Sequence, residues 1–180
     1  MGLAADLGYT YSPPNALQRT MQAFGSTKPG AWFFSKSLRH FDRAIHKVSK
    51  GRTSMPAVLA GLPVLMVTTT GRKSGQPRTT PLIAPPVGDT VALLGTNFGQ
   101  ANTPAWVLNL EADPHATVEY HNVTKAVVAR PATDAERDEI WQVADGVYGG
   151  YAKYQQRITG RQIRLFVLDP DPDPDPGSTS

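Results

Sequence analysis

Three cations, Arg72, Lys73 and Arg78, fall within the stretch Val67-Thr68-Thr69-Thr70-Gly71-Arg72-Lys73-Ser74-Gly75-Gln76-Pro77-Arg78. The residues before them are apolar and β-branched, and Thr79-Thr80-Pro81-Leu82 resumes the extended pattern. The spacing predicts strands over 64–70 and 79–84 joined by a basic turn. Gly71 and Gly75 allow positive φ, so backbone N–H groups can converge on one point while the side chains neutralise charge. Arginine adds forked hydrogen bonds to phosphate or carboxylate. Such a turn is either an anion clamp or an ordinary hairpin with a solvated basic tip. Local residues alone do not separate the two.

Other chemistries lack their residues. The chain of 180 residues has no cysteine, which excludes disulfides, thiolate metal sites and cysteine nucleophiles. Histidines stand at 40, 46, 115 and 121, none at the one-turn spacing of a helical zinc pair, so no metal site is expected. The Lys73-Ser74 pair follows Arg72 where a Walker loop requires glycine, and neither Gly-x-Gly-x-x-Gly nor Gly-x-Ser-x-Gly occurs. Between Asp89 and Asp134 the only carboxylates are Glu111, Asp113 and Glu119, which gives paired-carboxylate hydrolysis no evident site. What remains is the basic turn, Trp106 on a short helix, loop amides and hydroxyls, and the tyrosines Tyr148, Tyr151 and Tyr154. That inventory binds and orients, and it points to a cofactor that brings its own reactivity.

The elements that position these residues can be read in order. Residues 1–15, with Pro13-Pro14, are expected to be mobile. Leu17, Met21 and Phe24 suggest a short helix; Phe34, Leu38, Phe41, Ile45 and Val48 step by 4, 3, 4 and 3 and predict an amphipathic one. Its other faces carry Lys36, Arg39, Arg43 and Lys47, so it either packs on the domain or lies on an anionic membrane. Residues 49–61 read as a linker, giving an N-terminal helical arm and linker over 1–62, a domain over 63–170 and a disordered tail over 171–180. Within the domain, 85–89 is a turn, 91–96 a third strand, and 115–121 with 124–129 a hairpin. Thr103-Pro104 opens a helix over 105–111, Thr133 to Glu136 forms a capping box, and 163–168 is a last strand. The fold class is α+β: a six-stranded, mostly antiparallel barrel-like sheet with flanking helices. Connections too short for crossover helices disfavour a parallel sheet.

Charge is uneven. Residues 1–88 hold 11 cations against 2 acids, and the remainder 7 against 13. An anionic partner therefore belongs with the first half. Interleaved stacking aromatics are missing from the basic stripe, so nucleic acid is not expected. No secretory signal or membrane-length apolar run is present, and a cytoplasmic location, with or without membrane association, is expected.

From about Pro63 to Pro170 the chain resembles the deazaflavin (coenzyme F420)-dependent nitroreductase family of split β-barrel oxidoreductases, found chiefly in actinobacteria. The resemblance rests on Thr68-Thr69-Thr70-Gly71-Arg72-Lys73-Ser74-Gly75-Gln76-Pro77-Arg78, Gly95-Thr96-Asn97-Phe98-Gly99, Pro104-Ala105-Trp106 with Asn109-Leu110 and Asp113-Pro114, the three spaced tyrosines, and Val167-Leu168-Asp169-Pro170. It implies that Arg72, Lys73, Ser74, Gly75, Gln76, Pro77 and Arg78 hold the phosphate and acidic tail of coenzyme F420. It places the deazaflavin ring against Leu94, Gly95, Thr96, Asn97, Ala105, Trp106 and Asn109. Tyr148, Tyr151 and Tyr154 would line the substrate side, with Gly149-Gly150 hinging a lid, and Thr96 and Tyr151 would act at the reacting ring, Tyr151 or solvent giving the proton. The implied activity is F420H2-dependent reduction of a quinone, nitro compound or activated alkene. Alternatives are a reductase using flavin mononucleotide on the same barrel, or a non-catalytic coenzyme- or lipid-binding protein at a membrane through residues 15–50. Two departures, Asn97 where some members carry lysine and the bulk of Phe98, bear on substrate range.

Overall fold

Strand β1 (Val64–Thr70) and edge strand β2 (Pro77–Ile83) form the expected antiparallel hairpin, in register from Val64↔Ile83 to Thr70↔Pro77. These coordinates come from a computed structural model that describes residues 2–9 and 62–173. The expected helices and linker within 15–61 and the tail beyond 173 lie outside the described residues. Pro77 and Pro81 fit β2 because a strand at the edge of a sheet can lack a donor. Among the described residues no helix is long and apolar enough to cross a membrane.

The remaining elements are β3 (Pro86–Val87), β4 (Thr90–Leu94), a 3-10 turn (Asn97–Gly99), α2 (Ala105–Ala112), β5 (His115–Tyr120), β6 (Val123–Pro131), α3 (Asp134–Val147), α4 (Gly150–Arg157) and β7 (Leu165–Pro170). A first short helix, α1 (Leu3–Asp6), precedes them. All pairings are antiparallel, in the order β2-β1-β5-β6-β7-β4-β3. The α+β class holds, but among the described residues the sheet has seven strands rather than six. The added strand is β3, two residues inside the stretch read as a turn: Val87 pairs with Thr90 around Gly88, whose φ is 58°.

That order sets β2 and β3 at opposite edges although only Ala84 and Pro85 separate them in the chain. Three peptide links reach at most about 11 Å between α-carbons. The two edges must therefore meet, and the sheet curls on itself. At this seam the Tyr9 hydroxyl donates to the Ala84 carbonyl, and the Tyr151 hydroxyl donates to the Ile83 carbonyl at 3.4 Å. Two tyrosines from distant parts of the chain thus satisfy backbone acceptors where the sheet changes edge.

Residues 2–9 contradict the expectation of a mobile start. Leu3, Leu7 and Tyr9 are buried in the core, Ala4 N–H donates to Asp89 O at 3.0 Å, and the Tyr9 ring packs 4.8 Å from that of Tyr120. Apolar burial outweighs the polar, proline-containing residues that follow.

Two apolar clusters flank the central strands. Val91 and Leu93 of β4 and Phe166 and Leu168 of β7 face one cluster, with Leu65, Val67, Trp106 and Val118. Ala92, Leu94, Leu165 and Val167 face the other, with Ile140, Ala144 and the three tyrosines. Burial on both faces is why these strands read as continuous apolar runs rather than alternating ones.

Helix α2 begins differently from expectation. Pro104, not Thr103, is the N-cap, and no side chain caps it. Its core-facing residues, Trp106, Val107, Asn109 and Leu110, are all buried, so packing holds its start. Helix α3 opens on the expected capping box. Thr133 Oγ1 accepts from Glu136 N–H, and the Glu136 carboxylate accepts from Thr133 N–H at 2.8 Å.

Candidate active site

The basic turn is closed by its own backbone. Gly71 N–H donates to Gln76 O at 2.8 Å, and Ser74 and Gly75 N–H groups donate to Gly71 O at 3.0 and 2.7 Å. Gly75 takes φ 64°, the left-handed conformation that the sequence assigned to it. Arg72, Lys73, Ser74, Gly75, Gln76, Pro77 and Arg78 are all exposed. The turn presents three cations to solvent and no carboxylate, a donor set suited to a ligand with several negative charges.

Beneath it, Asn109 of α2 is buried at 6 % exposure. Its Oδ1 accepts the Arg72 backbone N–H at 3.1 Å, and its Nδ2 donates to Thr69 Oγ1 at 3.0 Å. Thr69, itself buried, reaches the Arg78 carbonyl at 3.5 Å. One amide therefore holds the β1 stem and the start of the turn, and Thr69 carries the link on to β2. The resemblance placed Asn109 at the ring; the structure shows its amide bonded to the turn and to β1. Thr69 was not singled out, because nothing in a threonine-rich strand marks which hydroxyl faces an amide.

Helix α2 also touches the loop after β4. A side chain at Gly95 would lie 2.9 Å from Val107 Cγ2 and 3.2 Å from the Arg164 carbonyl, so only glycine lets this loop sit on α2. Leu94 and Thr96 are buried, and Asn97 is half-buried. Arg161 donates to three carbonyls of this loop: Gly95 at 2.9 Å, Thr96 at 3.1 Å and Gln100 at 3.2 Å. Burial, and then the nearby Arg164, lower the pKa of its guanidinium. Sequence reasoning missed Arg161, which lies in the polar run between α4 and β7 where no motif flags it.

Helix α4 packs on the same loop. Phe98 meets Tyr154 edge-on with ring centroids 6.4 Å apart, and the guanidinium of Arg157 lies 6.0 Å from the Tyr154 ring centre. Tyr148, Tyr151 and Tyr154 form one buried cluster, with centroids 5.6, 6.0 and 6.4 Å apart and a hydroxyl pair, Tyr148 to Tyr154, at 3.0 Å. Burial raises the pKa of all three phenols. The Tyr151 hydroxyl is turned to the Ile83 carbonyl at the seam. Trp106 is likewise a core side chain, 6.1 Å from Phe166, while Ala105 beside it is exposed.

The anticipated segments are thus linked by contact: basic turn to α2, α2 to the Gly95 loop, and that loop to the tyrosine helix. A model of the F420H(2)-dependent quinone reductase family matches residues 38–170. The chain belongs to that family. The match begins inside the segment assigned to the N-terminal arm. An F420H(2)-dependent quinone reductase of Mycobacterium tuberculosis is 31% identical over 128 residues, covering 69% of this chain and 85% of the relative. A solved F420-H2 dependent reductase is 31% identical with a TM-score of 0.55, covering 59% of this chain and 94% of that one. A second solved structure, described as a domain-swapped dimer, is 25% identical with a TM-score of 0.55 and covers 79% and 100%. Membership in the F420H(2)-dependent quinone reductase family makes the chain an oxidoreductase and sets aside the flavin-mononucleotide and non-catalytic readings. The residues present fit the family's coenzyme: three exposed cations without a carboxylate suit its anionic tail.

Proposed function

We propose that this enzyme binds reduced coenzyme F420 along α2 and catalyses hydride transfer to a quinone, with nitro compounds and activated alkenes as further acceptors. The observation that carries the reading is the Asn109 amide, which ties the basic turn to the helix that also seats the Gly95 loop. The coenzyme, when bound, supplies a hydride from C5 of its reduced deazaflavin. Arg72, Lys73 and Arg78 hold its acidic tail by charge and forked hydrogen bonds. The Gly95–Gln100 loop, with Thr96, and the exposed end of α2 at Ala105 orient the ring. Phe98 and α4 form the wall on the acceptor side. Catalysis is then chiefly orientation of two planar reactants, and solvent gives the proton that completes the product. The basic amphipathic pattern over 34–48 supports contact with anionic membranes, which co-sedimentation with anionic vesicles tests.

The deciding experiment follows coenzyme fluorescence on titration, then anaerobic oxidation of F420H2 with menadione, for wild type and for the double variant Arg72→Ala/Lys73→Ala. Saturable binding at micromolar coenzyme and quinone-dependent turnover are expected of wild type. Loss of both cations should weaken binding at least tenfold. Absence of wild-type binding sinks the reading; unchanged affinity in the double variant sinks the clamp alone.

A further inference from the structure

The loop following β4 is held in a conformation that its sequence does not favour. Asn97, Phe98 and Gly99 have φ of 47°, 55° and 76°, three successive left-handed residues. Glycine adopts that region freely and asparagine tolerates it; phenylalanine rarely does. Strained backbone of this kind persists only where its surroundings impose it, and it gathers at functional sites. Thr96 before it is right-handed, with φ −78° and ψ −23°. A right-handed residue followed by a left-handed one turns successive N–H groups toward a common concavity that favours negative charge; here the Thr96 N–H is donated to Leu94 O at 2.9 Å, which leaves those of Asn97 and Phe98 to face it.

The turn is closed by its own backbone, Gly99 N–H donating to Thr96 O at 2.9 Å and Gln100 N–H to Asn97 O at 3.0 Å, and Arg161 clamps it from outside. Its Nη1 donates to Gly95 O and its Nη2 to Thr96 O and Gln100 O, so one planar fork grips both ends of the loop. Its Nε is buried with no hydrogen-bond partner among the described residues, which marks how far the side chain is committed to these carbonyls. No peptide here is cis. In a trans peptide C=O and N–H point to opposite sides. With the Thr96 carbonyl turned to Arg161, the Asn97 N–H faces away from it. The loop is braced elsewhere too: Asn97 Nδ2 donates to Asn102 O at 2.9 Å, and Gly99 backs onto Tyr154 and Arg157.

We propose that Arg161 is a positioning residue of the reaction: by gripping the carbonyl side of the loop it presents the Asn97 amide to the electron-rich edge of the bound ring. The inference rests on the function proposed above. Lysine cannot replace it, because one ammonium nitrogen cannot reach three carbonyls spread over six residues.

The test uses the full chain with Arg161→Lys and Arg161→Ala, read first without coenzyme. Amide hydrogen exchange over 95–101 should quicken about tenfold or more in both variants while the β1–β2 peptides keep wild-type rates. Added methylguanidinium should slow it again in R161A. With F420H2 and menadione, both variants should lose about tenfold to a hundredfold in kcat, with coenzyme affinity within a few-fold of wild type and quinone KM unchanged. If R161A does not fold, R161K decides by the same exchange and kinetic readings. Wild-type exchange over 95–101 in R161K, or quickened exchange with full turnover, overturns the proposal. A wild type that fails to oxidise F420H2 overturns the proposed function instead, and the exchange data still show whether Arg161 holds the loop.

Discussion

The Asn109 amide accepts the backbone N–H of Arg72 at 3.1 Å from beneath the basic turn, so a buried helix residue sets where an exposed cation stands. The geometry separates two roles that are easily confused. In the proposed function the exposed Arg72 side chain meets the coenzyme, whereas Asn109 fixes the backbone from which that side chain departs.

Asn109→Leu, similar in size, removes both hydrogen bonds, leaving the Arg72 N–H without its acceptor and the Thr69 hydroxyl with the Arg78 carbonyl at 3.5 Å. Unpaired buried groups cost about 1–3 kcal/mol, so the melting temperature should fall. Coenzyme affinity should drop about tenfold although every cation is still present, since a misplaced clamp loses about 1.4 kcal/mol per decade. Fluorescence titration beside a thermal melt checks both. Full affinity in a destabilised N109L would show that the turn holds its shape unaided.

Tyr9→Phe and Tyr151→Phe each delete a seam hydroxyl. The Tyr9 hydroxyl lies against two carbonyls, those of Ala84 and Pro63, whereas that of Tyr151 has Ile83 O, so Y9F should be the more destabilising, by about 1 kcal/mol. Y151F should keep turnover within about twofold if solvent is the proton source. A tenfold or greater fall in kcat for a Y151F protein of normal stability would return the phenol to the reaction.

Gly150 has a steric reason to be glycine. A side chain there would lie 2.3 to 2.7 Å from the ring and hydroxyl of Tyr148, whereas one at Gly149 meets nothing within 4 Å. Gly150→Ala should therefore cost about 1–3 kcal/mol by displacing Tyr148 and its pair with Tyr154. Gly149→Ala is the matched control, expected to melt close to wild type. Similar melting of the two variants would mean that the tyrosine cluster repacks freely.

The carboxylate of Glu136 is held down to about 2 from 4.5, first by the Arg130 guanidinium and then by the Thr133 backbone. A folded-state pKa below the unfolded one gives stability that is present above pH 4.5 and lost as pH falls toward 2. Denaturant midpoints of wild type should decline through that window, and Glu136→Gln should be less stable at neutral pH with a shallower acid decline. Parallel curves for the two proteins would place the acid sensitivity elsewhere.

Much of the frame was legible because it is written in local residues. The β-branched run 64–70, the glycine-bounded turn and the Thr133–Glu136 box each have a short-range physical cause, and each element stands where it was expected. The missed parts depend on long-range geometry. Burial of Leu3, Leu7 and Tyr9 needs a sheet that forms more than fifty residues later in the chain. The two-residue strand β3 is too short for any periodicity. The three carbonyl contacts of Arg161 join residues 61 to 66 positions apart, beyond any motif. Nor could spacing tell that the tyrosine hydroxyls turn to each other and to the seam.

The place of β7 in the sheet carries a consequence for synthesis. Last in sequence among the described strands, it lies between β6 and β4 and provides the only strand pairing among the described residues between β2-β1-β5-β6 and β4-β3. A nascent chain halted before Leu165 would already contain the basic turn, α2 and the tyrosines, yet its strands would form two separate sets. The ribosome must therefore release the chain through β7 before the sheet can join, and a frameshift or stop ahead of Leu165 should leave a degradable product rather than a weakened enzyme.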